Sequence, residues 1–113
     1  MKVSAFMTEA KRVIEDPANW TTGWFAKDEF GTMVDSLSEN ATCFCSLGAL
    51  ERYAKRELEE DLVGGVRSLS REAQHRLECV MGMAVEDFND YHTHSEVMTM
   101  WDEAIKMAVE EGQ

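Results

Sequence analysis

Phe88-Asn89-Asp90-Tyr91-His92-Thr93-His94-Ser95-Glu96-Val97 is the stretch on which the reading of this chain turns. It places a polar run, a helix start and the return of apolar spacing side by side. Thr93-His94-Ser95-Glu96 has the form of a capping box. The threonine hydroxyl accepts from a backbone N–H of the first turn, and the glutamate reaches back to the threonine's own N–H. Beyond it Val97, Trp101, Ala104, Ile105 and Ala108 recur at helical spacing, so a final helix starts here and buries that stripe. Asn89 and Asp90 read as the backbone-binding residues of a tight turn between this helix and the one before it.

Upstream, Leu77, Val80, Met81 and Ala84 predict a third helix starting after Ser70, with Glu72 at its positive end. Gly82 inside it marks a weak point or a close helix contact. Leu47, Leu50, Ala54 and Leu58, with Tyr53 beside them, predict a second helix from Cys45 or Ser46 to about Asp61, stopped by Gly64-Gly65. Phe6, Ala10, Val13 and Ile14 predict a first helix from Ser4 to Glu15, ended by Asp16-Pro17. Trp24-Phe25-Ala26 and Thr32-Met33-Val34 read as two short strands around a Lys27-Asp28-Glu29-Phe30-Gly31 loop. So small a hairpin is marginal alone. It is expected to rest on the helices through Trp20, Trp24 or Phe25. The fold class that follows is mostly α: a single domain over residues 1–113, a compact four-helix domain with one short β-hairpin between helices one and two.

Composition agrees with a folded domain: 44% of the 113 residues are hydrophobic and there is a single proline. The formal net charge is −11, which excludes bare nucleic acid as a direct ligand, because phosphate binding needs clustered Lys and Arg. From Glu78 to Gln113 nine acids face one base, a net charge of −8. Such acid keeps a protein soluble, meets a basic surface on a protein partner, or imitates nucleic-acid phosphates. No apolar leader follows Met1-Lys2-Val3-Ser4, and no run of about 18 apolar residues would span a membrane. With an odd three cysteines, a reduced cytoplasmic setting is expected, in a bacterium or an infected host.

The candidate polar site is Asn89, Asp90, Thr93 and His94, with Cys45. A thiol at a helix N-terminus can be activated, with His92 or His94 as base and Asp90 orienting it. The plainer reading is a small apolar cysteine at a helix start, with Gly48 allowing close approach. Cys43-x-Cys45 and His92-x-His94 could offer four zinc ligands, but the spacing is narrower than structural zinc pairs use. No catalytic residue, metal or cofactor is therefore assigned. Trp20, Trp24, Phe25, Phe44 and Trp101 read as core, and the eight methionines as packing or an adaptable interface.

Two sets of motifs stand in order along the chain. The first runs from Ile14-Glu15-Asp16-Pro17 through Trp20 and Gly23, then the Lys27-Asp28 to Gly31 turn, then Cys45-x-x-Gly48-Ala49-Leu50. The second is Phe88-Asn89-Asp90, Thr93-His94-x-Glu96-Val97 and Trp101-Asp102-x-Ala104-Ile105. Together, from about Ala5 to Ala108, they resemble the family catalogued as domain of unknown function 6197, small proteins of bacteria and bacteriophages. The resemblance implies a shared small fold and no activity. It makes Asn89, Asp90, Thr93 and His94 one motif, and Cys45, Gly48 and Ala49 the other. The chain departs from the pattern in its extra Cys43 and in the very short Tyr91-His92 link, which leaves less room for a pocket. The expected function is that of a small acidic, non-enzymatic interaction factor, accessory or phage-borne, binding a host protein. The alternatives are a small enzyme or ligand-binding domain around Asn89, Asp90, His94 and Cys45, and a nucleic-acid-mimicking inhibitor of a DNA-binding defence system. Oligomeric state is left open.

Overall fold

The computed structural model describes residues 1–57 and 69–113. The first helix, α1, spans Val3–Arg12 and is shorter than its apolar spacing predicts. Its end tightens into 3₁₀ geometry, with Val13 N bonded to Ala10 O and Ile14 N to Lys11 O. Ile14 is thereby still buried although it lies beyond the helix. Asp16 then caps a 3₁₀ turn, Pro17–Asn19, its carboxylate accepting from Ala18 N at 2.9 Å.

The expected hairpin is part of a three-stranded antiparallel sheet. Strands β1 (Ala26–Lys27), β2 (Met33–Val34) and β3 (Cys43–Phe44) lie in the order β2-β1-β3. Ala26 pairs with Val34 on one side and Phe44 on the other. Of the three aromatics expected to attach it, Trp20 does so and Trp24 and Phe25 do not. Trp24 and Phe25 are 46% and 39% exposed, whereas Ala26 is fully buried. Trp20 bridges to Phe44, and Thr21 N donates to Phe44 O at 2.9 Å. The sheet is therefore tied down by backbone bonds and a small residue, not by the two neighbouring aromatics.

Helix α2 covers Ser46–Arg52 and continues as a π-helical segment, Tyr53–Glu57. The expected run to Asp61, the buried Leu58 and the Gly64-Gly65 stop lie outside the described residues. Arg52 Nη1 donates to Ser36 O at 2.9 Å and Ser38 O at 2.8 Å, and its guanidinium sits 5.2 Å from the Phe44 ring centre. The loop after β2 is thus held on α2.

The third expected helix is two. Helix α3 spans Leu69–Met81, α4 spans Val85–Tyr91 and α5 spans His94–Glu110, so the described residues hold five α-helices and not four. Gly82 is the cause. Its φ of +73° is left-handed, and its N–H closes α3 on Glu78 O at 2.9 Å. Among the described residues no atom lies within 4 Å of where a Cβ would stand, so this glycine serves the backbone and not a helix contact. Ala84, expected on the inner face of helix three, is instead the N-cap of α4 and offers no side-chain acceptor. Glu78 replaces it, taking the Val85 N–H on Oε2 at 3.2 Å.

Helices α1, α3 and α5 pack together around Phe6, Met7, Ile14, Leu77, Val97 and Trp101, and α4 adds Val85. Burial of each such side chain contributes roughly 1.5–3 kcal/mol. Lys11 also meets Asp102 across α1 and α5 at 2.7 Å, but Asp102 is 63% exposed, so that pair contributes about 1 kcal/mol at most. Among the described residues no helix is long and apolar enough to cross a membrane.

Candidate functional site

Asn89 and Asp90 are helical residues of α4, not turn residues. Asn89 is fully buried and sits at the centre of a polar network. Its Oδ1 accepts from Trp20 Nε1 at 2.8 Å, Ser46 N at 3.0 Å and Ser46 Oγ at 2.9 Å. Its Nδ2 donates to Thr21 O at 3.0 Å. Ser46 Oγ in turn accepts from Trp101 Nε1 at 3.0 Å. One amide therefore links α4 to the start of α2, the segment before β1 and, through Ser46, the buried indole of α5. Only an amide serves here, because one end must accept from donors while the other donates. Beside it, Asp90 Oδ1 accepts from Gly23 N at 2.9 Å and fixes the entry to β1.

The two histidines are also engaged with the backbone. His94 Nε2 is 2.7 Å from Ile14 O, and its ring meets the edge of Trp20 with centroids 5.4 Å apart. His92 Nδ1 is 2.9 Å from Phe88 O, and its ring stacks on Phe88 at 3.7 Å. Each histidine thus places a ring N–H on a carbonyl, and neither hydrogen-bonds Cys45. Thr93 closes the expected capping box, accepting from Glu96 N at 3.2 Å while Thr93 N donates to Glu96 Oε1 at 2.9 Å.

Those bonds hold the Glu96 carboxyl below the ordinary glutamate range, the Thr93 N–H contributing most and the Thr93 hydroxyl next. A depressed folded pKa means that the stabilisation is complete above the unfolded value and is lost as pH falls through the folded one. Glu96→Gln is therefore expected to melt below the native chain at neutral pH and to converge with it in acid. Thr93→Ala should cost about 1 kcal/mol by urea denaturation.

Cys45 is buried and caps α2, its Sγ accepting from Gly48 N at 3.4 Å. Burial pushes its thiol up, the Gly48 N–H opposes that, and the Asp90 carboxylate adds a further smaller rise. The burial fits the plainer reading of Cys45, a small residue packed at a helix start, where desolvation outweighs the helix end. Cys79 is exposed, with His75 Nε2 at 3.7 Å. Alkylation followed by mass spectrometry should label Cys79 at least about tenfold faster than Cys45 near neutral pH. The rise in Cys45 labelling with pH should come later than that of free cysteine in solution. Equal rates at Cys45 and Cys79 would contradict this placement. The four imagined zinc ligands are not gathered either. Cys43 Sγ points to Lys27 O at 3.7 Å, and no three His, Cys, Asp or Glu side chains form a metal-binding group among the described residues.

What the structure does bring together is a cleft of about 320 Å³ between the β1 lead-in and α4. Gly23, Trp24, Phe25, Cys45, Leu47, Glu86 and Asp90 line it. Cys45 and Asp90 come from the expected site, whereas Asn89, Thr93 and His94 are not among its lining residues. Trp24, Phe25 and Glu86 were missed. Glu86 and Asp90 stand one turn apart, a signal visible only once that stretch is known to be helical.

No curated protein and no solved structure matches the chain. The model of a family of unknown function, DUF6197, matches residues 1–107, nearly the whole length over which the two motifs run. By that match, the chain belongs to the DUF6197 family of unknown function.

Proposed function

We propose that the protein is a small acidic interaction factor, cytoplasmic and accessory or phage-borne, which performs no chemistry of its own and binds a basic face of another protein. The observation that carries this reading is the exposure of its acid. Of the nine carboxylates between Glu78 and Gln113, eight are exposed. Lys11 pairs with Asp102 and Arg76 with Glu111, and the other six exposed carboxylates form no ion pair with a lysine or arginine among the described residues. The groups that would do chemistry are committed to the fold: Asn89 to its network, His92 and His94 to carbonyls, Cys45 to a helix cap.

A small ligand-binding or enzymatic domain is the second reading, favoured by Cys45 and Asp90 sharing one cleft. The raised thiol weighs against nucleophilic use of Cys45. Nucleic-acid mimicry draws only on the net charge.

The test is capture of partners from bacterial lysate by the immobilised full chain at about 50 mM and about 500 mM salt, since exposed charges are screened at the higher value. A protein partner retained only at low salt is expected. Absence of any salt-sensitive partner would sink the reading.

A further inference from the structure

We infer that the cleft between the β1 lead-in and α4 is the docking point for an arginine side chain on a basic, extended segment of the partner protein. The inference rests on the interaction reading above and names the partner's chemistry. The cleft has apolar lining from Phe25 and Leu47, beside the Trp24 indole, which is 46% exposed. Its rim carries Glu86 and Asp90, one helical turn apart on α4. A tryptophan and a half-exposed phenylalanine beside two carboxylates suit a side chain with an aliphatic stem and a planar cation. The stem covers the apolar lining, the guanidinium lies over the indole, and its N–H fork meets a carboxylate. Arginine fits better than lysine because it is planar, less strongly hydrated and bidentate.

Charge complementarity runs in the same direction. From Glu78 to Gln113 the only base is Lys106, and the described ion pairs include neither Glu86 nor Asp90. Lys27 comes near Gly23, its Nζ 4.0 Å from where a Cβ there would stand, yet it pairs with neither carboxylate. Asp90 Oδ1 is occupied by the Gly23 N–H and lies 3.4 Å from Asn89 Nδ2, so Glu86 is the better-placed acceptor. The cleft holds one side chain and not a helix, and an extended segment presents one side chain to it at a time.

The test is a titration of the ¹⁵N-labelled full chain with a blocked Gly/Ala peptide carrying a central arginine, and with its citrulline twin. Citrulline keeps the shape and removes the charge. The arginine peptide should give saturable amide shifts at Gly23, Trp24, Leu47 and Glu86. These should be about tenfold weaker with citrulline and about tenfold weaker in E86Q or W24A. Equal shifts from both peptides would overturn the proposal. So would shifts spread evenly over Asp102, Glu103 and Glu110 and unchanged in E86Q. The lysate capture repeated with E86Q and W24A separates the two claims. A salt-sensitive partner captured equally by native and variant chains overturns the cleft and leaves the interaction reading standing. Cleft shifts without any captured partner overturn the interaction reading instead.

Discussion

Asn89→Ala is expected to cost about 4 kcal/mol and to lower the melting temperature on the order of 15 °C. The substitution removes an acceptor for Trp20 Nε1, Ser46 N and Ser46 Oγ, and a donor to Thr21 O. The Ser46 side of the site is closed to water, since Asn89 and Ser46 are both fully buried. Each buried group left without a partner costs about 1–3 kcal/mol, and Trp20 Nε1 and Thr21 O, whose bonds are only part-buried, lose less than Ser46. Against a total stability of roughly 5–15 kcal/mol, the variant folds marginally or not at all. Urea denaturation should show a lower midpoint with an unaltered slope. Asp87→Asn, on the exposed face of the same helix, is the control and should shift stability by less than about 0.5 kcal/mol.

Gly48→Ala should destabilise by about 3 kcal/mol, against the direction that helix propensity alone predicts. An alanine inside α2 would ordinarily gain about 1 kcal/mol over glycine. Here a Cβ at residue 48 would stand 2.0 Å from Phe25 O and 2.9 Å from Phe25 C. Those are backbone atoms, and Phe25 O already accepts from Cys45 N at 3.1 Å. Relief of the clash means moving the β1 lead-in away from α2, which strains that bond and displaces Trp24 and Phe25 together. The variant should thus lose stability and, in whatever fraction folds, lose the arginine-dependent shifts at Trp24. A Gly48→Ala chain more stable than native would show that α2 and the β1 lead-in are not in contact as described.

Where structure follows from local rules, the sequence predicts it closely. The Thr93-to-Glu96 capping box starts α5 where expected, because both partners of the cap lie within one turn. The buried stripe of α5 is also as expected, apart from Ile105, which is half-buried. Gly48 serves close approach, as its place between apolar residues implied. What escapes the sequence depends on distant partners. Helix α4 is seven residues long, too short for periodicity to reveal, and it carries Asn and Asp, which favour turns in isolation. Its Asn89 is held by groups 43 and 69 residues away, and that tertiary bonding overrides local preference. Strand β3 is two residues long and is defined only by its pairing with β1. Trp24 and Phe25 read as core because aromatics usually are, yet both lie in the bend before β1, where their rings pack edge-on against each other with centroids 5.8 Å apart and stay exposed. Of the polar motif, Asn89 and His94 hold distant segments of the fold together, and Asp90 lines the cleft beside them.

The central claim is that Asn89 organises a buried hydrogen-bond network that holds α4, α2 and α5 together. Hydrogen exchange at the Ser46 amide and at the Trp20 and Trp101 indole N–H groups tests it most directly, because all three protons lie in that network. The account predicts that all three exchange together and slowly, at the rate of global unfolding. Exchange of the Ser46 amide or the Trp101 indole as fast as that of exposed α4 amides would contradict it.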